Sequence, residues 1–177
     1  SYVFRDGGVY LYGVDMAVLN PHFEKEQSDY FIYSSLWTEL NPRHLVGQPV
    51  VVGKLDLNTC TIAQASCISQ VPYAIPIPYG CTISGFAGWF TVDFAGSAGS
   101  PIKQRVVLST GPEGGYTHWG QQVFYLPDAI EAGPDTLIHG DFEMRRQEKN
   151  KRLYNVHLSV KVDDESEPRV VAVWEMP

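Results

Sequence analysis

The sequence lacks the features that mark secreted, membrane and metal-binding proteins. Its three cysteines, Cys60, Cys67 and Cys81, are an odd number at spacings that match no zinc motif and no disulfide framework. It has no N-glycosylation sequon, no signal-peptide pattern and no apolar run of about 18 residues, the minimum for a transmembrane helix. Free thiols fit a reducing compartment, so we expect location in the cytoplasm or nucleus and no membrane partner.

Basic residues are scarce. The chain has 13 Lys and Arg against 20 Asp and Glu, which gives a formal net charge of −7. This balance argues against an autonomous nucleic-acid binder, which would normally carry a basic stripe. An acidic surface suits basic partners such as arginine-rich peptides, although it is equally typical of a solvated surface without a partner.

The sequence also contains no motif that binds a nucleotide or activates a nucleophile. Its glycine-rich stretch, Gly-Pro-Glu-Gly-Gly at residues 111–115, is followed neither by Lys-Ser/Thr nor by a helical pattern. No Rossmann fingerprint and no serine nucleophile elbow appear. His139 and His157 are predicted to face outward on neighbouring strands, but two histidines are too few for a stable metal site. We therefore predict neither a cofactor nor a metal site in this chain.

What the sequence does contain, from residue 48 onward, is alternation of apolar and polar side chains. The clearest predicted strands cover residues 85–95 and 152–162. Further strands are predicted at residues 49–57, 59–67, 103–110, 118–126, 135–145 and 169–174, with residues 71–78 as a proline-containing edge strand or connector. Strands of this number, separated by short turns, predict a mainly β protein built as an antiparallel barrel or sandwich.

The first 43 residues follow a different pattern. Apolar residues up to Leu19 suggest a short helix that ends at Asn20-Pro21, since proline disfavours helix for the residue before it. Residues 22–36 fit either a short helix or an extended connection. We predict that residues 1–43 form an appendage and that residues 44–177 form the β domain.

The most informative stretch is Ser-Thr-Gly-Pro-Glu-Gly-Gly-Tyr-Thr-His-Trp at residues 109–119, between two predicted strands. Its glycines and proline predict a tight loop. Thr117, His118 and Trp119 follow at the start of the next strand. An imidazole beside an indole at a strand end suits a cationic or hydrogen-bonding ligand. The alternative is a histidine bonded to backbone beside a core tryptophan.

These residues carry a family resemblance. Leu-Ser-Thr-Gly-Pro at 108–112, then Tyr-Thr-His-Trp at 116–119 and a strand from Gln122, resembles the THW-loop region of protein arginine N-methyltransferases. Tyr-Gly-Val-Asp-Met at 12–16 is similar to that family's dimerisation arm, and residues 85–94 and 130–140 are similar to its barrel strands. The order and spacing agree from about residue 8 to residue 162.

The resemblance covers only the C-terminal half of such an enzyme. It implies a jelly-roll-like antiparallel β-barrel with part of the dimerisation arm, and we expect the chain to be a piece of a longer protein. The domain that binds S-adenosyl-L-methionine, and the loop with two glutamates that clamps the substrate guanidinium, have no counterpart here. This chain alone is therefore expected to be inactive.

For the parent enzyme, the resemblance implies methyl transfer from S-adenosyl-L-methionine to arginine-rich proteins such as histones and RNA-binding proteins, by a homodimer. The Thr-His-Trp loop favours the type that makes asymmetric dimethylarginine. His118 would pair with an acidic residue of the missing domain, and Trp119 would line the arginine pocket. Thr117, placed at the substrate cleft by the motif, would mainly shape the turn.

Two alternatives come from other functional classes. One is an autonomous β-sandwich that binds a peptide or carbohydrate through Trp119 and Trp89. The other is a purely structural barrel. Affinity of the isolated chain for an arginine-rich peptide or a glycan would favour the first alternative, whereas the resemblance predicts little affinity without the missing domain.

Overall fold

The chain folds as predicted into a mainly β protein with antiparallel strands. The structure is a computed structural model that describes residues 17–97 and 99–176. The helices are α1 (Asn20–Tyr33) and α2 (Ile62–Ser66). The strands are β1 (Leu36–Thr38), β2 (Cys67–Pro76), β3 (Cys81–Gly88), β4 (Thr91–Ser97), β5 (Ser100–Ser109), β6 (Gln121–Ala132), β7 (Leu137–Arg146), β8 (Tyr154–Val162) and β9 (Val170–Met176). Within these ranges, neither helix has the length and apolar character needed to cross a membrane.

The described strands form three sheets, in the orders β1-β6-β3, β2-β7-β8-β9 and β4-β5. The first two sheets share one barrel-like core. Its centre is Trp174 of β9, which is fully buried, stands edge-on to Phe124 of β6 and donates its indole N–H to the carbonyl of Tyr125 at 3.2 Å. A fully buried indole needs such an acceptor, so this bond helps to fix the two sheets against each other.

Strand β8 shows most directly how the sequence specifies this core. Its side chains at Val156, Leu158, Val160 and Val162 are buried, while the residues between them are only partly covered. This face follows from the alternation in the strand predicted at residues 152–162, because successive side chains of a strand point to opposite sides of the sheet.

One predicted strand proves to be two strands in different sheets. Residues 85–95 were expected to run continuously, but β3 ends at Gly88 and pairs with β6, whereas β4 begins at Thr91 and pairs with β5. Between them, the Phe90 carbonyl accepts the backbone N–H and the hydroxyl of Thr110, each at 3.0 Å. These bonds fix the point where the chain passes between sheets. Alternation continues through the break, so the sequence pattern does not reveal it.

The strands predicted at residues 49–57 and 59–67 are wrong. In the described chain, residues 39–61 contain no strand, and residues 62–66 form α2. A capping box starts this helix: the Thr61 hydroxyl accepts the Gln64 N–H at 3.2 Å, and the Gln64 side chain accepts the Thr61 N–H at 2.8 Å. Before it, the Asp56 carboxylate accepts the Asn58 N–H in a local turn, which competes with strand pairing.

The proline at position 21 starts a helix instead of ending one. A short 3-10 turn over Ala17–Leu19 leads into α1, which carries Pro21 in its first turn, where a missing N–H costs nothing. Of the two possibilities left open for residues 22–36, the helix is correct up to Tyr33. Phe31 of α1 packs edge-on against Tyr125 of β6. The domain boundary at residue 43 stays a prediction, although β1 already pairs with β6 before it.

Tyr73 links β2 to β8 and gives a pH-dependent test of the core. It is buried, and its hydroxyl donates to the Ser159 carbonyl at 2.8 Å. Burial, with a smaller effect of the Asp141 charge, raises the pKa of Tyr73 above its ordinary value. The stability that this group contributes is therefore fully present below about pH 10, the pKa of an unfolded tyrosine, and is lost as the pH rises further.

Replacing Tyr73 by phenylalanine should cost about 1 kcal/mol of unfolding free energy at neutral pH, because the Ser159 carbonyl loses its donor. The variant should also lose less stability than the wild type when urea unfolding is repeated above pH 10. Tyr79→Phe, at an exposed position, is the matched control. Identical alkaline losses in wild type and Tyr73→Phe would contradict the effect of burial.

Candidate functional site

The loop between β5 and β6 is built around a 3-10 turn, Pro112–Gly114. The Gly114 N–H donates to the Gly111 carbonyl at 2.9 Å, and Gly115 then adopts φ +84°. This left-handed conformation favours glycine. The predicted tight loop is thereby confirmed, with one change: β6 begins at Gln121, so Thr117, His118 and Trp119 lie in the loop and not in the strand.

The base of the loop is held by the buried side chain of Gln121, which is 3% exposed. Its amide N–H donates to the carbonyl of Thr110 at 2.7 Å, and its amide oxygen accepts the backbone N–H of Leu40 at 2.7 Å. One side chain thus joins the end of β5, the start of β6 and the segment after β1. The two ends of the loop are fixed, which leaves its tip as the exposed part.

The exposed part of the loop next to β6, called the loop tip below, carries His118 and Trp119. Their rings lie 4.1 Å apart at an angle of 33°, and Trp119 also stands edge-on to Phe90 at 5.8 Å. His118 is exposed and Trp119 is 46% exposed. Within the described ranges, the His118 imidazole makes no hydrogen bond. The alternative of a backbone-bonded histidine beside a core tryptophan is therefore wrong: both rings are accessible to a ligand.

The backbone of this tip is held from the side by Trp37 of β1. The Trp37 indole N–H donates to the Trp119 carbonyl at 2.7 Å. Gly120 follows with φ +51°, and its N–H donates to the Thr117 carbonyl at 3.0 Å. Hydrogen bonds to the carbonyls of Thr117 and Trp119 thus hold the main chain that carries the two rings.

Thr117 is half-buried, and its hydroxyl oxygen is a buried polar atom without a hydrogen-bond partner among the described residues. Its carbonyl closes the turn with Gly120, which agrees with a role in shaping the loop. A role for Thr117 at a substrate stays a prediction, as do the roles of His118 and Trp119.

An open cavity of about 320 Å³ lies beside the loop. It is lined by Glu39, Leu40, Asn41, Pro42, Pro112, Gly115 and Gln121. Glu39 is the one charged residue of this lining, and exposed Glu113 follows Pro112 on the loop. Open space on the Pro112–Gly115 side of the loop, with one carboxylate at its wall, is therefore available to a chain segment.

The other candidates from the sequence do not come together. His139 stands opposite Lys161 and bonds the Asp163 carbonyl at 2.7 Å, whereas His157 stands opposite Glu143 further along the strand pair. Across residues 17–97 and 99–176, no group of three or more His, Cys, Asp and Glu is placed to hold a metal ion. Trp89 is half-buried and packs under Gly111, so it is not an exposed platform like Trp119.

Sequence reasoning missed Trp37 and Gln121. Both act on backbone groups of residues far away in the chain, and neither belongs to a recognisable motif. The sequence shows only the glycine at position 120; the structure gives its reason, since a β-carbon there would lie 2.7 Å from the Trp37 indole nitrogen and from the Thr38 carbonyl oxygen.

Comparison with known proteins places this chain in a family. Residues 8–165 match the model of the arginine methyltransferase oligomerization subdomain. The chain is 34% identical to protein arginine N-methyltransferase PRMT10 of Arabidopsis thaliana over 165 residues, covering 92% of this chain and 43% of that protein. It is 32% identical to protein arginine N-methyltransferase 6 of Xenopus laevis, covering 86% of this chain and 42% of that protein. The chain thus spans less than half the length of these relatives.

Solved structures agree on the fold. The crystal structure of Arabidopsis thaliana protein arginine methyltransferase 10 superposes with a TM-score of 0.76 at 30% identity, covering 97% of this chain and 50% of that one. The Trypanosoma brucei PRMT1 enzyme-prozyme heterotetrameric complex with AdoHcy superposes with a TM-score of 0.73 at 17% identity, covering 100% of this chain and 52% of that one. At that identity, the second likeness supports the fold alone.

Proposed function

Because this chain belongs to the family of the arginine methyltransferase oligomerization subdomain, we propose that it is the C-terminal β-barrel half of a protein arginine N-methyltransferase. In this proposal the full-length protein transfers a methyl group from S-adenosyl-L-methionine to protein arginine. The observation that carries the proposal is the exposed His118–Trp119 pair, held at the tip of a loop whose base and side are both fixed.

Trp119 suits the substrate side of this reaction. The face of an indole attracts a planar guanidinium by stacking and by cation–π interaction, worth about 0.5–2 kcal/mol depending on desolvation. His118 stacks beside it and keeps both ring nitrogens free of partners in the described chain, so it can bind an acidic group across the cleft and orient the site. The bonds around Trp119 hold both rings in place before the substrate arrives, which is how positioning contributes to the rate.

The glycine-rich loop between β5 and β6 does not fit S-adenosyl-L-methionine. Nucleotide sites use free backbone N–H groups of glycines, but in this loop Gly111 packs on Trp89 and the Gly114 N–H is already bonded to Gly111. We propose that the cofactor binds a part of the full-length protein outside this chain. The residues of this chain then act on the arginine side of the reaction only.

Charge favours arginine-rich substrates. The chain carries a net charge of −7; Glu39 lines the cavity beside the loop, and exposed Glu113 lies in the loop itself. A negatively charged surface steers basic polypeptides toward the site and disfavours the binding of nucleic acid. Histones and RNA-binding proteins are the substrate class we propose, with asymmetric dimethylarginine as the product and the cytoplasm or nucleus as the location.

We also propose that α1 belongs to a dimerisation arm of the full-length homodimer. Several apolar side chains on and before this helix are exposed, namely Val18, Leu19, Tyr30, Phe31 and Tyr33. Exposed apolar groups in such a number are typical of an interface. The Tyr-Gly-Val-Asp-Met segment and its residues Val14 and Met16, assigned to the same arm, lie outside the described residues.

A binding module is the second candidate. The aromatic surface formed by Trp37, Phe90 and Trp119, each about half exposed, would suit a peptide or a sugar. The two candidates differ in what the 177-residue chain binds by itself.

Calorimetric titration of the isolated chain distinguishes them. We expect no heat of binding with S-adenosyl-L-methionine and none with an arginine-rich peptide, because the cofactor site and the opposite wall of the cleft are outside this chain. A cooperative thermal transition in the same sample controls for folding, and a peptide with lysine for arginine controls for charge. Micromolar affinity for the cofactor would overturn the proposal that the cofactor binds outside this chain. Micromolar affinity for the peptide or a glycan would favour the binding module.

A further inference from the structure

We propose that Trp37 is a positioning residue, which sets the place of the His118–Trp119 pair through its hydrogen bond to the Trp119 carbonyl. The inference rests on the proposed function for its effect on turnover. It also makes a structural claim that holds without that function: β1 and the loop tip move as one unit.

The contact is close and specific. The indole nitrogen of Trp37 lies 2.7 Å from the Trp119 carbonyl oxygen, near the short end of the range for N–H···O bonds. The same indole packs under Gly120, where an added β-carbon would lie 2.7 Å from its nitrogen and 2.8 Å from Cε2. Only a glycine fits over the ring, and its φ of +51° is one that glycine adopts easily. The backbone of the loop at Trp119 and Gly120 is therefore in direct contact with the Trp37 ring.

Burial does not explain Trp37. Its side chain is 52% exposed, unlike that of Trp174, which is fully buried in the core. A tryptophan kept for packing alone would be expected inside, since its value lies in the large apolar area it buries. The feature that distinguishes Trp37 is its N–H, the donor group that reaches the candidate site from another part of the chain.

The segment that contains Trp37 directly follows α1. Trp37 pairs with Gln122 in the β1–β6 register, and β1 follows α1 by two residues. Ser35, between them, donates its backbone N–H to the Glu175 carbonyl at 3.0 Å. A displacement of this segment would therefore move the carbonyl that precedes Gly120, and with it the two stacked rings.

The test is Trp37→Phe, which removes the N–H and keeps an aromatic ring. In the 177-residue chain, amide hydrogen exchange at residues 117–120 should become about 3- to 10-fold faster, the change expected from losing one hydrogen bond. Exchange in β7 and β8 should stay unchanged. In the full-length protein, kcat for arginine methylation should fall by a similar factor, with the dissociation constant of S-adenosyl-L-methionine unaltered.

Trp89→Phe is the matched control. Trp89 packs against the opposite end of the same loop, under Gly111, and its indole N–H donates no hydrogen bond within the described residues. This variant should leave exchange at residues 117–120 as it is in the wild type. Gly120→Ala, which pushes a β-carbon into the Trp37 ring, should reproduce the faster exchange. Combining it with Trp37→Phe should add little, because both changes break the same contact.

The outcomes separate this inference from the proposed function. Unchanged exchange at residues 117–120 in Trp37→Phe would overturn the inference whatever the enzyme does. Faster exchange with unchanged kcat would overturn the positioning role. A wild-type full-length protein that methylates nothing would refute the proposed function, while the exchange data would still decide whether Trp37 holds the loop.

Discussion

Replacing His118 by alanine in the full-length protein should lower kcat for arginine methylation about 100-fold, the loss expected when a group that orients the site is removed. The His118 ring is exposed at the loop tip, stacked on Trp119, with no hydrogen bond inside the described chain. We propose that His118 binds an acidic group on the opposite side of the cleft and thereby orients the site. The affinity for S-adenosyl-L-methionine should hardly change, because the cofactor binds elsewhere.

Steady-state kinetics with an arginine-rich peptide, together with calorimetric titration of the cofactor, measures both quantities. His157→Ala, on the outer side of the β7–β8 pair, is the control and should keep wild-type turnover. Wild-type turnover in His118→Ala would remove His118 from the mechanism. A parallel loss of cofactor affinity would instead indicate a damaged fold.

Gln121→Leu should have the largest effect on stability, a loss of about 2–5 kcal/mol of unfolding free energy. The substitution keeps the volume of the side chain but leaves the buried Thr110 carbonyl and the half-buried Leu40 N–H without their partner. Each unpaired buried group costs about 1–3 kcal/mol. Since these two bonds tie the base of the loop, the tip should also become more mobile.

Urea unfolding of the 177-residue chain measures the loss. Gln70→Leu makes the same chemical change at an exposed position of edge strand β2 and should alter stability by no more than about 0.5 kcal/mol. Equal midpoints for the two variants would show that Gln121 does not brace the loop.

The sequence revealed the parts of this protein whose causes are local. Alternation in β8 identifies its buried face, and glycine and proline identify the loop at residues 110–120. Thr117, His118 and Trp119 were found because they are contiguous. The capping box at Thr61 and Gln64 was equally visible in the sequence, three residues apart, and would have replaced the wrong strand at residues 59–67 with α2.

The parts that the sequence did not reveal depend on distant partners. The break between β3 and β4 is made by bonds between Phe90 and Thr110, and alternation is the same on both sides of it. Trp37 and Gln121 bond to main-chain groups, which every residue has, so no particular partner type marks them in the chain. Such positions are found only once the strands are placed side by side.

The most direct test of the central claim is methyl transfer by the full-length protein that carries this sequence. It should be incubated with S-adenosyl-L-methionine and two peptides of equal length and charge, one rich in arginine and glycine and one with lysine in place of each arginine. Mass spectrometry should find methyl groups on arginine only, with asymmetric dimethylarginine as the final product. A protein that binds the cofactor but leaves the arginine peptide unmethylated, or that methylates the lysine peptide equally, would contradict the proposed function.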